Sequence, residues 1–217
     1  MNICFLGTSH AAQHLSAATA AKGFTLCDIG EADLVFVSED TPTAPDGTRD
    51  LEPIRAMVND AAAKTRGPIV LTSQVPPGFT RSLGLPEIFH QAETLRIKDA
   101  AARAAAPEML IVGSETAGQD IPPAYEFYLK AWECPILRMT WEEAEFAKIA
   151  INMTLAAQVE NTNRLAAAAG TVGAKWETIA EVLRHDSRIG PHAYLAPGRW
   201  QDSPHLLRDS VTLREIE

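Results

Sequence analysis

Short apolar runs punctuate the first two thirds of the chain. Ile3–Leu6, Leu34–Val37, Ile69–Thr72 and Met109–Val112 each predict a short buried strand, and Pro135–Met139 is a weaker fifth candidate. Between them the apolar positions recur at helical spacing, over about His10–Lys22, Leu51–Lys64 and Tyr125–Trp132. Strand and helix in alternation predict an α/β fold, a parallel sheet with helices on its faces. Phe24–Asp28 stays open at this level. It reads either as the second strand or as a remnant before the strand that starts near Ala32-Asp33.

The pattern changes after Thr140. Thr140-Trp141-Glu142-Glu143 fits a capping box, with Thr140 as N-cap and Glu143 three residues on. A helical pattern then runs from Trp141 to Ala169, with Gly170 as the expected stop. Twenty-nine residues (141 to 169 inclusive) span about 43 Å, long for a compact domain. Phe146, Ile149, Met153, Ala156 and Val159 give it a broad apolar face. That face predicts a homodimer through the long helix. A second helix is expected at about Trp176–Arg184, and the last thirty residues read as ordered but irregular. The expected division is residues 1–139, a sheet domain, and 140–217, the long helix with a small helical domain.

Charge removes several partners. Nineteen Lys and Arg against 28 Asp and Glu leave a net charge of −9. That argues against nucleic acid and against anionic membrane surfaces. No apolar run approaches the ~20 residues of a membrane span. The N-terminus MNICFLG lacks a basic region and a small-residue cleavage site. Cys4, Cys27 and Cys134 are few, odd in number and far apart. They make neither a disulfide framework nor a metal site, and a cytoplasmic protein with reduced thiols is the expectation.

Candidate chemistry lies in the loops. After the first strand comes Gly7-Thr8-Ser9-His10-Ala11-Ala12, where a dinucleotide fingerprint would read G-x-G-x-x-G/A. Gly7 and Ala12 fit. Ser9 does not, since a side chain stands where backbone should approach phosphate. Asp28, 21 residues after Gly7, is placed to be the ribose-binding acid. Thr41-Pro42 follows the Leu34–Val37 run, and Ser73-Gln74-Val75-Pro76-Pro77-Gly78 follows Ile69–Thr72. Alone, each of these loops reads as structural. Lys148 and Asn152 stand at i, i+4 and share a helix face, either as an oxygen-holding pair or as a solvated stripe. Arg188 suits a phosphate or carboxylate, with surface ion pairing as the plain alternative. His205 and Asp209 pair if that stretch is helical.

Taken in order, these pieces resemble the UDP-glucose/GDP-mannose 6-dehydrogenase family, over nearly the whole chain. The matches are Gly7; Thr41-Pro42 with Gly47 and Asp50; Ser73 through Gly78; and Pro86-Glu87-Ile88. The later ones are Glu145 with Lys148 and Asn152, Asp186 through Gly190, and Leu195 through Asp209. The resemblance implies a Rossmann-like domain, NAD as cofactor, a nucleotide sugar as substrate and the long helix as a dimer core. It assigns catalysis to Lys148, Asn152, His205, Asp209 and Glu87. Cofactor binding falls to Gly7, Thr8, Ser9, Ala12, Asp28, Thr41, Pro42 and Gln74, and substrate binding to Arg188 and Gly198.

The departures shape the expected chemistry. His205 stands where the family has its nucleophilic Cys, Gln74 replaces the loop threonine, and Gln91 replaces the second of two glutamates. Asp33 follows only ten positions after Gly23, and the chain stops soon after Asp209, before the family's C-terminal domain. Without a thiolate to hold an aldehyde-level adduct, oxidation of a CH–OH group is expected to stop after one two-electron step. The alternative is a non-catalytic relative that binds a nucleotide sugar, or a partner chain, and keeps the fold and dimer surface. Dinucleotide binding is expected to be weak or lost.

Overall fold

The computed structural model describes residues 1–217. In chain order the elements are β1 (Asn2–Leu6), α1 (His10–Ala21), β2 (Thr25–Leu26), β3 (Leu34–Val37), α2 (Glu52–Lys64), β4 (Ile69–Leu71), α3 (Phe79–Ser82), β5 (Ile88–Ala92), α4 (Ala100–Ala105), β6 (Leu110–Ser114), α5 (Pro123–Lys130), β7 (Ile136–Thr140), α6 (Trp141–Thr171), α7 (Trp176–His185) and α8 (Pro204–Ile216). The chain divides into two compact units. One comprises Met1–Pro42 with Arg49–Lys148, and the other Thr43–Thr48 with Ile149–Glu217.

The first unit is the α/β sheet domain. Its seven strands lie in the order β2-β1-β3-β4-β5-β6-β7. Five of the six pairings are parallel, and only β5 with β6 is antiparallel. Both faces are covered, as a parallel sheet requires. In β3 all four residues are buried, and period-two alternation sends them to opposite sides. Leu34 and Phe36 join a cluster with Tyr125, Tyr128 and Trp132, while Val35 and Val37 join Ile54, Val58 and Trp141.

The two added strands were hidden for different reasons. β2 is only two residues long, at the sheet edge, pairing Asn2 with Thr25 and Ile3 with Leu26. It settles Phe24–Asp28 as the site of the second strand. β5 carries His90 and Gln91, which disguise a fully buried strand as a polar one. Gln91 is satisfied by the Tyr125 hydroxyl at 2.9 Å. Burial pushes His90 down to about 4, so its ring is neutral.

A full doubly wound sheet carries two strands beyond β1 on the β2 side. Here there is one, because the chain passes from β2 through a single 3-10 turn, Ile29–Glu31, straight to β3 on the other side of β1. One strand and its crossover helix are missing. This is what the short spacing between Gly23 and Asp33 encodes.

α6 begins as the capping box requires. The Glu143 carboxylate accepts the Thr140 N–H at 2.8 Å, and the Glu143 N–H reaches the Thr140 hydroxyl at 3.4 Å. The helix has 31 residues and runs through Gly170, which is therefore not its stop. Gly173, at φ +74°, ends it, with the Ala174 N–H returning to the Ala169 carbonyl at 2.9 Å. The expected apolar face is only partly open. Ile149 and Ala156 are buried within the chain, whereas Phe146 and Leu165 are exposed.

In the second unit, Trp176, Ala180 and Leu195 form a small core with Ala166 and Leu183. The last thirty residues are more regular than expected, because α8 forms with Pro204 at its first position. Gly47 packs on α8. A Cβ there would lie 2.7 Å from Val211 Cγ2, and its φ is +92°.

Candidate functional site

The turn after β1 is built around Gly7. Its φ is +120°, and a Cβ on it would lie 2.3 Å from the Ser38 carbonyl oxygen. Only glycine lets the turn lie against the end of β3. The Ser9 side chain, expected to point at a ligand, turns inward instead. It is buried and caps α1, its hydroxyl accepting the Ala12 N–H at 3.0 Å and donating to the Ser38 carbonyl at 2.7 Å. Ala12 is buried in the first turn of α1.

Glu39, which the sequence reading passed over, completes this turn. Its Oε2 accepts the Thr8 N–H at 2.7 Å and the Thr8 hydroxyl at 3.2 Å, and its Oε1 accepts the Asp40 N–H at 2.9 Å. Burial pushes its carboxyl upward, but these three hydrogen bonds outweigh burial and hold it below the usual carboxylate range.

The neighbouring loops are tied to one another. The Glu39 N–H donates to Ser73 Oγ at 3.0 Å, and the buried Thr41 hydroxyl donates to the Gln74 carbonyl at 2.7 Å. Pro42 is exposed beside Thr41, and Gln74 is half-buried. Gly7, Thr8, Thr41 and Gln74 all follow the carboxyl ends of parallel strands, where open α/β sheets bind ligands. Asp28 follows the carboxyl end of β2 by two positions.

Gly78, at φ +89°, and Thr80 give their backbone N–H groups to Glu145, at 2.6 and 2.8 Å. Glu145 is 1% exposed, and burial lifts its carboxyl to about 7 against the pull of these hydrogen bonds.

In the second unit, Asn152 and Asp209 come together. The Asn152 carboxamide donates to Asp209 Oδ2 at 2.6 Å, and both side chains are buried. His205 is exposed in the first turn of α8, one helical turn before Asp209. Lys148 is half-buried one turn before Asn152 on α6. Gly198 is held by Asn163, which donates to its carbonyl at 2.7 Å and accepts its N–H at 2.9 Å. Arg188 is exposed, its guanidinium doubly bonded to Asp186 at 2.9 and 2.6 Å.

Residues 142–213 match the family model described as the UDP-glucose/GDP-mannose dehydrogenase family, central domain. Over these residues the chain is similar to that central domain. Along the chain, the UDP-glucose 6-dehydrogenase of Pseudomonas aeruginosa is 29% identical over 182 residues, 76% of this chain and 40% of that protein. That of Rattus norvegicus is 30% identical, over 75% of this chain and 37% of that protein. The chain thus spans about two fifths of the relatives it matches. A UDP-glucose dehydrogenase structure from Pyrobaculum islandicum superposes with a TM-score of 0.76 at 21% identity, covering 98% of this chain and 67% of that one. The Mycobacterium tuberculosis 3-hydroxyisobutyrate dehydrogenase gives 0.71 at 17% identity, covering 99% and 86%. These likenesses bear out the Rossmann-like fold followed by a long helix and a helical domain.

One predicted site residue stands apart from the others. Glu87 precedes β5 and is exposed, beside Ile69 at the amino end of β4. It is at the opposite end of the sheet from Gly7, Thr41 and Gln74. The acid at the carboxyl end of β5 is Glu93, directly after Ala92. The missing signal was β5 itself, whose start at Ile88 puts Glu87 at the amino end of the sheet.

The turn has the chemistry of a diphosphate site. The Glu39 carboxylate on Thr8 is an anion standing on the backbone donor of a βα turn, at the start of a 12-residue helix. The turn is therefore a fit for phosphate oxygens. Gly7 and Thr8 with the N-terminus of α1 would hold the diphosphate, and Asp28 the ribose. No helix is long and apolar enough to cross a membrane, and no group of three or more metal-ligating side chains occurs.

Proposed function

We propose that this chain is an NAD-linked oxidoreductase acting on a CH–OH group of a sugar nucleotide, and that it stops after one two-electron step. The observation that carries this is the buried 2.6 Å pair of Asn152 and Asp209. In the stretch similar to the family's central domain, it stands as the counterpart of the carboxamide and carboxylate that the resemblance assigns to catalysis. When bound, NAD supplies the hydride acceptor for the substrate's C–H bond. The chain's own residues handle the rest. His205 takes the hydroxyl proton as general base. Lys148 and Asn152 steady the oxygen as it becomes a carbonyl. Asp209, four residues on from His205, orients that base and holds Asn152 by the 2.6 Å hydrogen bond. Arg188 receives the anionic end of the sugar nucleotide by exchanging its Asp186 partner, and Gly198 lines the substrate loop. A cytoplasmic homodimer is part of the same reading.

The one-step limit rests on the thiols. Cys4, Cys27 and Cys134 are all free, and in each burial is the largest effect raising the thiol above its ordinary value. None is a ready thiolate, and none belongs to the unit that holds His205. NADH counted against sugar consumed, over a panel of UDP- and GDP-sugars, is the test. One NADH per sugar, lost in His205→Ala, is expected. Two per sugar would overturn the limit.

The second reading, a non-catalytic sugar-nucleotide-binding relative, is favoured by the missing strand and by Glu39 on the turn. Calorimetric binding of a sugar nucleotide with no NADH formed from any of them would select it.

A further inference from the structure

Three observations converge on the turn after β1. The Thr8 N–H and hydroxyl are both taken by Glu39 Oε2. The other carboxylate oxygen is fixed by the Asp40 N–H, and the Glu39 backbone by Ser73. Beside them the Ser38 hydroxyl is 1% exposed and makes no hydrogen bond. A buried hydroxyl without a partner is costly, and here it lies next in the chain to a carboxylate that fills a phosphate-type donor.

We infer that Glu39 is the resident anion of this turn, and that a dinucleotide diphosphate binds only by displacing its carboxylate. The inference rests on reading the turn as a dinucleotide site. The physical argument is competition. Gly7 brings the turn so close to the Ser38 carbonyl that the following residue is delivered to Thr8. A carboxylate and a phosphate oxygen compete for one N–H and repel each other across it. Ser9, capping α1 through Ala12, takes a second backbone donor of the same turn. A diphosphate arriving here must break charge-assisted hydrogen bonds before it forms its own. Glu39 thereby sets dinucleotide affinity without touching the sugar.

The test is calorimetric titration of the whole chain with NAD, and in parallel with a UDP-sugar. It compares the wild type, Glu39→Ala and Glu39→Gln, with thermal melting to check folding. Glu39→Gln keeps the size and removes the charge, so it serves if Glu39→Ala does not fold. Both variants should bind NAD about tenfold or more tightly than the wild type, with UDP-sugar affinity unchanged. Equal NAD affinity in all three, or weaker binding in the variants, overturns the inference. So does absence of NAD binding in all three proteins while the UDP-sugar binds, an outcome that leaves the sugar-nucleotide reading standing. Tighter NAD binding in the variants with no UDP-sugar binding supports the inference and sinks the proposed function.

Discussion

Asn152 on α6 and Asp209 on α8 are joined by a 2.6 Å hydrogen bond between two buried side chains, 57 residues apart in sequence. A carboxamide donating to a buried carboxylate contributes more than a neutral pair, and removing the donor leaves the acid less satisfied. Asn152→Ala should lower stability by about 2 kcal/mol, read as a lower urea midpoint with unchanged slope. A midpoint within error of the wild type would show that the pair adds nothing to the fold.

Gly7 and Gly78 separate two kinds of glycine requirement. Both have positive φ, but a Cβ at Gly7 overlaps the Ser38 carbonyl, while nothing lies within 4 Å of one at Gly78. Gly78→Ala should cost about 1–2 kcal/mol from backbone conformation alone. Gly7→Ala adds a steric collision with backbone that cannot move aside, and should cost about 3 kcal/mol or more. Equal losses in chemical denaturation would contradict the close approach of β1 turn and β3 end.

The parts of this fold that were legible in the sequence are those whose pattern is local. The Leu34–Val37 run could only be a buried strand, and Thr140 with Glu143 announced the start of α6. What stayed hidden depends on partners distant in sequence. β5 looked polar because His90 and Gln91 are buried only by virtue of the sheet around them and the Tyr125 hydroxyl. With that strand unseen, Glu87 was grouped with Gly7, Thr41 and Gln74, although it precedes β5 and they follow the carboxyl ends of their strands. Glu39 was overlooked because a lone acid after a strand carries no pattern. Its importance comes from Gly7 bringing Thr8 to it. Ser9 was read as an obstruction, whereas helix-cap chemistry, which the sequence does encode, turns its hydroxyl inward.

Glu145 makes stability depend on pH in a defined direction. Burial lifts its carboxyl from 4.5 to about 7 in the folded chain. The native state therefore holds a proton that the unfolded state releases near pH 4.5. Stability from this group is greatest below that value, falls as pH rises toward 7, and stays low above it. The span corresponds to about 3 kcal/mol. Glu145→Gln cannot ionise, so its stability relative to the wild type should rise between pH 5 and pH 8. A difference between the two proteins that does not change with pH would refute this.

Arg188 tests whether an exposed ion pair serves a ligand. Its bidentate bond to Asp186 is on the surface, where such pairs contribute little. Arg188→Ala should shift stability by less than about 0.5 kcal/mol and weaken sugar-nucleotide binding about tenfold. Arg188→Lys should restore only part of that affinity, since an ammonium lacks the planar fork. Full affinity in Arg188→Ala would return the residue to a purely surface role.

The homodimer prediction now rests on fewer residues than the sequence offered. Of the five positions expected to face a partner, Ile149 and Ala156 are already covered within the chain. What α6 leaves open is Phe146 at 40% exposure and Leu165 at 43%, and α7 leaves Val182 at 67%. The dimer reading requires these side chains to form one continuous apolar face, since scattered ones are ordinary on a surface. Light scattering at micromolar concentration should give about twice the 23.5 kDa chain mass. Leu165→Glu, which places a charge where apolar surface is to be buried, should return the mass to that of one chain while leaving the melting of the first unit in place. A wild type that stays at the single-chain mass would show that these side chains are tolerated in water.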